Sequence, residues 1–257
     1  MSIPTIKPKT KVDEECIKRE MDAIYGIIAD HLDIFCSKLK VPIDKAKNYI
    51  EELFSNHDIL NHCLARSIGV ISEKFFLKLK THEGFVAAPG TIMNSALLYV
   101  LIRNFDLKKV FEAGTAQGFC ASFLLLAAIK NGGHVDTVDL LNDSEVGKSI
   151  LYDYSPSLTV RRGVNSTTFL REKNNNRQYY DLYCHDSTHT FSHMMRELCE
   201  FKKCEKDLFF VFFDDQHSDD FWNRCIKTNL FNKSGYDVMF TDSTRQLGGF
   251  LCYRKKC

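Results

Sequence analysis

The chain has ten cysteines but no Cys-x-x-Cys pair, so it lacks the spacing that zinc ribbons and thioredoxin-like redox pairs require. Cys120, Cys184 and Cys225 fall inside apolar periodic segments, where a thiol serves as a small hydrophobe. This usage predicts a reduced, cytoplasmic setting. An excess of one charge is also missing: 34 basic and 33 acidic residues leave a formal charge of +1, and no net field favours a polyanion or an anionic membrane. No apolar run reaches membrane-spanning length. Met1-Ser2-Ile3-Pro4, followed by Lys7, Lys9 and Lys11, has no apolar centre of the kind a signal peptide carries. The expectation is a soluble intracellular protein with no nucleic-acid partner and no membrane. Proline is scarce, and two of the five fall within the first ten residues, which predicts a loose arm there.

What is present is enough apolar side chain, 44% of the residues, for one large core with an N-terminal extension. From Val12 to Leu39 the positions Ile17, Met21, Ile24, Ile28, Phe35 and Leu39 recur at helical spacing. Pro42 ends that pattern. Asp44 is a candidate cap for a second helix through Phe54, and Asp58 for the start of a third through Ile68. Pro89-Gly90-Thr91 reads as a loop before a helix from Ile92 to Phe105. Strands and helices then alternate, with strands expected at 109–112, 135–139, 158–161, 179–184, 208–213, 236–241 and 249–253. Helices are expected at 119–129, 192–201 and 221–230, and Asn174-Asn175-Asn176 reads as a loop. Alternation of this kind specifies a parallel sheet covered on both faces, with ligands at the carboxyl ends of its strands. The link from Asp242 to Gly248 is too short for a crossover helix, so the last two strands should be antiparallel neighbours.

The most informative stretch is Val110-Phe111-Glu112-Ala113-Gly114-Thr115-Ala116-Gln117-Gly118-Phe119. An apolar run ending in an acid, then two glycines and a helical pattern, reads as strand, tight turn and helix N-terminus. A dinucleotide fingerprint wants Gly-x-Gly-x-x-Gly, whereas here Gly114 and Gly118 stand four apart. That turn suits a ligand without phosphates: Gly114 and Gly118 would admit the amino-acid portion of S-adenosylmethionine (SAM), with Glu112 beneath the turn and Asp139 placed for the ribose hydroxyls. With the terminal antiparallel strand, residues 83–254 resemble the class I SAM-dependent methyltransferases. The fold this implies is α/β, a Rossmann-like seven-stranded methyltransferase sheet with the last strand antiparallel, plus an N-terminal helical region. Residues 1–82 would form a helical cap or dimerisation region and 83–257 the SAM-dependent domain. The candidate SAM contacts are Glu112, Gly114, Thr115, Gln117, Gly118 and Asp139, with Asn165 and Ser166 on the adenine side and Asp186 near the methyl group.

A second stretch, Tyr183-Cys184-His185-Asp186-Ser187-Thr188-His189-Thr190, has a counterpart in Phe212-Phe213-Asp214-Asp215-Gln216-His217. Both place acids just beyond an apolar strand, so Asp186, Asp214 and Asp215 should converge. Such charge repels itself unless a cation sits in it, and an all-oxygen set favours Mg²⁺. Asp186-Ser187-Thr188-His189-Thr190, with His193 and Glu197-Leu198, resembles the Asp-Ser-x-His-(Ser/Thr) segment of rhamnosyl and macrolide-sugar O-methyltransferases and cephalosporin-hydroxylase-like proteins. The resemblance implies Asp186, Asp214 and Asp215 as Mg²⁺ ligands and His189 as general base. Asp214 departs from the pattern, since Glu is usual there in the macrolide-sugar enzymes. His185 and His193 read as structural, and His217 as a second-choice base.

The reading is a Mg²⁺-dependent transfer of a methyl group from SAM to a hydroxyl of a small molecule, sugar and phenolic acceptors both remaining open. Metal binding would lower the hydroxyl's pKa and orient it, and a histidine would take its proton. The alternatives are a hydroxylase-like or other metal enzyme on the same scaffold, and a non-catalytic SAM-binding scaffold acting through its N-terminal helices, which could also form a homo-oligomer. No His-x-Asp/Glu motif with a distant His stands out, which disfavours non-haem iron. Trp222 and the aromatics around Phe75 and Phe85 read chiefly as core.

Overall fold

The computed structural model describes residues 14–67, 87–203, 208–214, 236–240 and 249–254. Its helices are α1 (Glu14–Leu39), α2 (Ile43–Phe54), α3 (His57–Ser67), α4 (Ala87–Asn104), α5 (Phe119–Lys130), α6 (Ser166–Asn175) and α7 (Phe191–Lys202). The strands are β1 (Lys109–Ala113), β2 (His134–Asp139), β3 (Leu158–Arg162), β4 (Leu182–His185), β5 (Leu208–Phe213), β6 (Tyr236–Phe240) and β7 (Gly249–Arg254). They lie in the order β3-β2-β1-β4-β5-β7-β6. The first five are mutually parallel, while β7 runs antiparallel to both β5 and β6.

Strand periodicity divides the core in two. Val110, Val135, Leu182, Cys184, Phe210 and Phe212 join one apolar cluster, and their sequence neighbours Phe111, Val138, Tyr183, Val211 and Phe213 join another. Side chains at alternate positions of a strand point to opposite faces, so the two clusters are the two sides of the sheet. On the first side lie α4 and α5 together with Met21, Ile24, Ile28, Leu32, Phe35 and Leu39 of α1 and Ala46, Ile50 and Leu53 of α2. The helical first third therefore continues the sheet's own core. On the second side lie Phe169 and Leu170 of α6 and Met194, Leu198 and Phe201 of α7.

Several local expectations are corrected. Pro42, not Asp44, is the N-cap of α2, and it makes no side-chain cap bond. Asn56 caps α3: its Oδ1 accepts from Asp58 N–H at 3.0 Å and Ile59 N–H at 3.2 Å, the bonding that favours asparagine at this position. Pro89 and Gly90 belong to α4, in the first turn where a proline's missing N–H costs nothing. A helix with no counterpart in the sequence reading, α6, follows β3; Asn174 and Asn175, expected in a loop, close it, and Asn176 is its C-cap. β4 begins at Leu182; just before it the Asp181 carboxylate accepts from the N–H groups of Lys108 and Lys109, both at 2.8 Å. The expected helix at 221–230, the N-terminal arm, the boundary at 82–83, and Phe75, Phe85, Asp215, His217 and Trp222 lie outside the described residues.

β2 carries one buried acid that helps hold the second face. Tyr180 Oη donates to Asp136 Oδ2 at 2.7 Å, and the Lys173 ammonium lies 3.3 Å from the same carboxylate. Burial works to raise the Asp136 pKa, but hydrogen bonds from His134 and Tyr180 and the nearby Lys173 outweigh it and hold it at about 2. A carboxylate depressed in the folded state stabilises above its unfolded pKa, and that contribution fades as pH falls through the folded value. Asp136→Asn should lower the unfolding free energy at pH 7 by about 2 kcal/mol. Urea titrations should show the gap between the two proteins closing between about pH 4 and pH 2.

Candidate functional site

Strand order reverses between β1 and β4, which is where a doubly wound sheet opens a crevice at its carboxyl edge. The turn leaving β1 is held to β2 by Gly114 N–H and Thr115 N–H, which both donate to the Val138 carbonyl, at 2.9 and 3.2 Å. Gly114 has φ +98°, and a Cβ there would lie 1.8 Å from the Asp186 carbonyl oxygen. Gly118, at φ +89°, caps α5, and a Cβ there would lie 2.1 Å from Ile150 Cγ1. Each glycine is thus required twice, by its left-handed backbone and by a close approach.

The other candidate cofactor residues surround this turn. Asp139 Oδ2 accepts from Ala116 N–H at 2.8 Å and its Oδ1 from Leu141 N–H at 2.9 Å, steadying Ala116 in a left-handed conformation at φ +44°. Gln117 is buried, and its Oε1 has no hydrogen-bond partner among the described residues. A buried amide oxygen left in that state is costly, so a donor from a bound molecule fits there. Glu112 lies fully beneath the turn, where Thr137 Oγ1 donates to its Oε2 at 2.5 Å, and Thr137 Oγ1 is 2.7 Å from Thr115 Oγ1. Burial pushes the Glu112 pKa up to about 7. Asn165 caps α6, its Oδ1 accepting from Thr167 N–H at 3.0 Å, and Ser166 Oγ donates to Glu197 Oε1.

Asp186 and Asp214 follow β4 and β5 in equivalent register. His185 pairs with Phe213, and Asp214 N–H donates to the His185 carbonyl at 2.9 Å. Asp186 N–H donates to the Ala113 carbonyl at 2.8 Å, which sets the acid edge directly against the glycine turn. His189 Nε2 stands 3.8 Å from Asp186 Oδ1. Both of these side chains are about one-third exposed, so a ligand can reach them. Among the described residues no set of three or more His, Cys, Asp or Glu side chains is arranged to hold a metal, and Asp215 lies outside them. The two placed carboxylates, Asp186 and Asp214, are hard oxygen donors that follow neighbouring strands, the donor type a Mg²⁺ ion takes.

Two groups of functional weight escaped the sequence reading. Asn94, buried in α4, donates through Nδ2 to Asp214 Oδ1 at 2.9 Å. Its signal was available, a polar Asn94-Ser95 pair within an otherwise apolar helix. Glu197 had been noted only as part of a motif, yet it gathers His185, His193, Tyr183, Ser166 and Ser187 around one carboxylate. A further correction concerns iron: the His-x-Asp spacing does occur, as His134-Val135-Asp136 in β2, as His217-Ser218-Asp219, and as His31-Leu32-Asp33 in α1, where His31 Nδ1 lies 2.8 Å from the Ile27 carbonyl oxygen. The first starts at the opposite end of β2 from the crevice, with Asp136 committed to Tyr180 and Lys173. The second lies outside the described residues.

No protein-family model matches the chain, and no curated protein matches it in sequence. Its architecture does match solved structures. The O-methyltransferase TomG from Streptomyces achromogenes, in complex with SAM, aligns at 14% identity over 78% of this chain and 91% of TomG, with a TM-score of 0.52. A protein from Staphylococcus aureus described as a caffeoyl-CoA O-methyltransferase aligns at 15% identity over 83% of this chain and 100% of its own length, with a TM-score of 0.51. The chain has the fold of the SAM-dependent O-methyltransferases. Against a SAM-dependent methyltransferase from Agrobacterium tumefaciens the match is looser: 13% identity, 65% of this chain, 63% of that protein's length and a TM-score of 0.45.

Two measurements check this geometry. Gly114→Ala should destabilise the chain by at least about 2 kcal/mol in urea unfolding, because the left-handed backbone and the Asp186 carbonyl both exclude a Cβ. The Glu112 carboxyl, followed by ¹³C NMR in the unliganded protein, should titrate with a midpoint of about 7. A carboxyl raised in the folded state loses stability as pH climbs from its unfolded value through the folded one, so this group should cost about 3 kcal/mol of stability between about pH 4.5 and 7.

Proposed function

We propose that the chain transfers a methyl group from SAM to a hydroxyl of a small molecule with Mg²⁺ as cofactor, on the seven-stranded methyltransferase sheet whose last strand is antiparallel. The observation that carries this reading is the contact between the glycine turn and the acid edge: Gly114 packs on the Asp186 carbonyl. A donor held by the turn would therefore present its reactive group beside the Asp186 and Asp214 carboxylates. When bound, SAM supplies the electrophilic methyl group and Mg²⁺ lowers the pKa of an acceptor hydroxyl.

The chain's own residues then divide the work. Gly114, Gly118, Thr115 and Gln117 receive the amino-acid portion, with Glu112 beneath them, and Asp139 serves the ribose from the end of β2. Asn165 and Ser166 border the adenine side. Asp186, Asp214 and Asp215 hold the cation, with Asn94 fixing one oxygen of Asp214. His189 takes the acceptor's proton at Nε2, next to Asp186 Oδ1, which would stabilise the imidazolium formed. The described N-terminal helices reach the neighbourhood of the turn: His62 of α3 stacks on Phe119 at 4.6 Å, at the start of the helix that follows the glycine turn.

Calorimetric titration with SAM and with S-adenosylhomocysteine, each with and without Mg²⁺, tests the reading. Both nucleosides should bind; binding of neither would end the methyltransferase interpretation. Asp186→Ala should abolish Mg²⁺ uptake while leaving SAM affinity within a few-fold. Loss of SAM binding by a folded Asp186→Ala protein would mean that the metal site is misplaced.

A further inference from the structure

A cluster of buried polar side chains lies behind the acid edge, centred on the fully buried Glu197 of α7. Its Oε2 accepts from Tyr183 Oη and from His185 Nδ1–H, both at 2.5 Å. Its Oε1 accepts from His193 Nε2–H at 3.0 Å, from Ser187 Oγ at 3.2 Å and from Ser166 Oγ. A lone buried carboxylate costs several kcal/mol, and an apolar residue there would pack the same face more cheaply. Burial works to raise the Glu197 pKa, but the bonds from His185 and His193 outweigh it and hold it well below the usual carboxylate range.

The bonded residues point to a purpose beyond packing. His185 and Ser187 are the residues immediately before and after Asp186, and both are tied to this one carboxylate. The His185 ring also meets the His189 ring edge to face, with centroids 5.4 Å apart and planes at 84°. Ser166 extends the connection to the first turn of α6, next to Asn165.

We propose that Glu197 is a positioning residue for the acid edge: by holding both neighbours of Asp186 and the ring that backs His189, it sets the geometry in which cation and acceptor are received. The proposal rests on the reading of Asp186 and His189 given above. Glu197 touches neither SAM nor acceptor; it acts through the 185–189 segment.

The test compares the full-length wild type with Glu197→Gln, Ser187→Ala and Leu39→Ala. The last is a destabilised control whose altered side chain lies in the core of α1. Two quantities are read: Mg²⁺ affinity of the S-adenosylhomocysteine-loaded protein by calorimetry, and amide hydrogen exchange across residues 186–190. Glu197→Gln should bind Mg²⁺ about tenfold more weakly or worse, as is typical when a partner of a metal ligand is lost. Ser187→Ala should weaken it several-fold, exchange at 186–190 should rise in both, and Leu39→Ala should change neither beyond its global loss of stability. If Glu197→Gln does not fold, Ser187→Ala decides. Wild-type Mg²⁺ affinity and unchanged exchange in the folded variants would overturn the proposal with the functional reading intact. If the wild type takes up no Mg²⁺, the metal reading fails and the exchange data alone decide whether Glu197 holds the segment.

Discussion

The arrangement depends on one backbone contact, the approach of β1's last carbonyl to the first amide beyond β4. Asp186 N–H donates to the Ala113 carbonyl at 2.8 Å, and the next residue of the first chain, Gly114, lies against the Asp186 carbonyl. Parallel pairing of Ala113 with His185 makes the contact possible, and the missing side chain at Gly114 lets it close. From that point the two chains part. The one leaving β1 enters α5, whose Phe123 and Leu124 join the first apolar cluster, while the one leaving β4 enters α7, whose Met194 and Leu198 join the second. A crevice at the carboxyl edge follows from two connections leaving adjacent strands towards opposite faces.

The two buried glutamates near this edge are set to opposite states by their partners. Glu112, on the first face, has hydroxyl and thiol donors and the Asp139 carboxylate nearby, and burial pushes its pKa up. Glu197, on the second face, has two imidazoles and three hydroxyls around it and stays ionised despite burial. Burial pushes the His185 pKa down, while the Glu197 carboxylate that accepts from its Nδ1 works the other way. The turn thus rests on a carboxyl that titrates close to physiological pH, whereas behind the acid edge lies a carboxylate that stays charged. A cationic ligand over Glu112 would favour its ionised form, so the proton on Glu112 is a term in the binding of any sulfonium.

The alternation of strands and helices, the glycine turn and the acids after β4 and β5 were legible because each depends on residues close in sequence. A period of two, a glycine at positive φ and a polar residue after an apolar run are local signals. α6 was missed because its only strong marker is the Asn165 cap; the helix itself is polar, with Phe169 and Leu170 its main apolar anchors. Pro89-Gly90 reads as a breaker in sequence, although a proline in the first turn of a helix breaks nothing. Asn94 and Glu197 escaped for a different reason: their partners lie 120 residues away in one case and up to 31 in the other. A buried polar residue in an apolar helix signals that a partner exists without saying which.

Those long-range contacts also bear on the helical first third. Glu52 of α2 accepts from Tyr99 Oη at 3.0 Å and pairs with Arg103, both on α4, and with Lys130 of α5 at 2.6 Å. Tyr152, in the loop before β3, donates to Asn56 and Asp58 around the start of α3. The N-terminal helices are therefore bound to the helix that carries Asn94 and to the helix that begins at Phe119. Asn94 reaches Asp214, and Phe119 follows the glycine turn. The first-third helices and the two helices bordering the glycine turn and Asp214 therefore form one packed layer on the first face of the sheet.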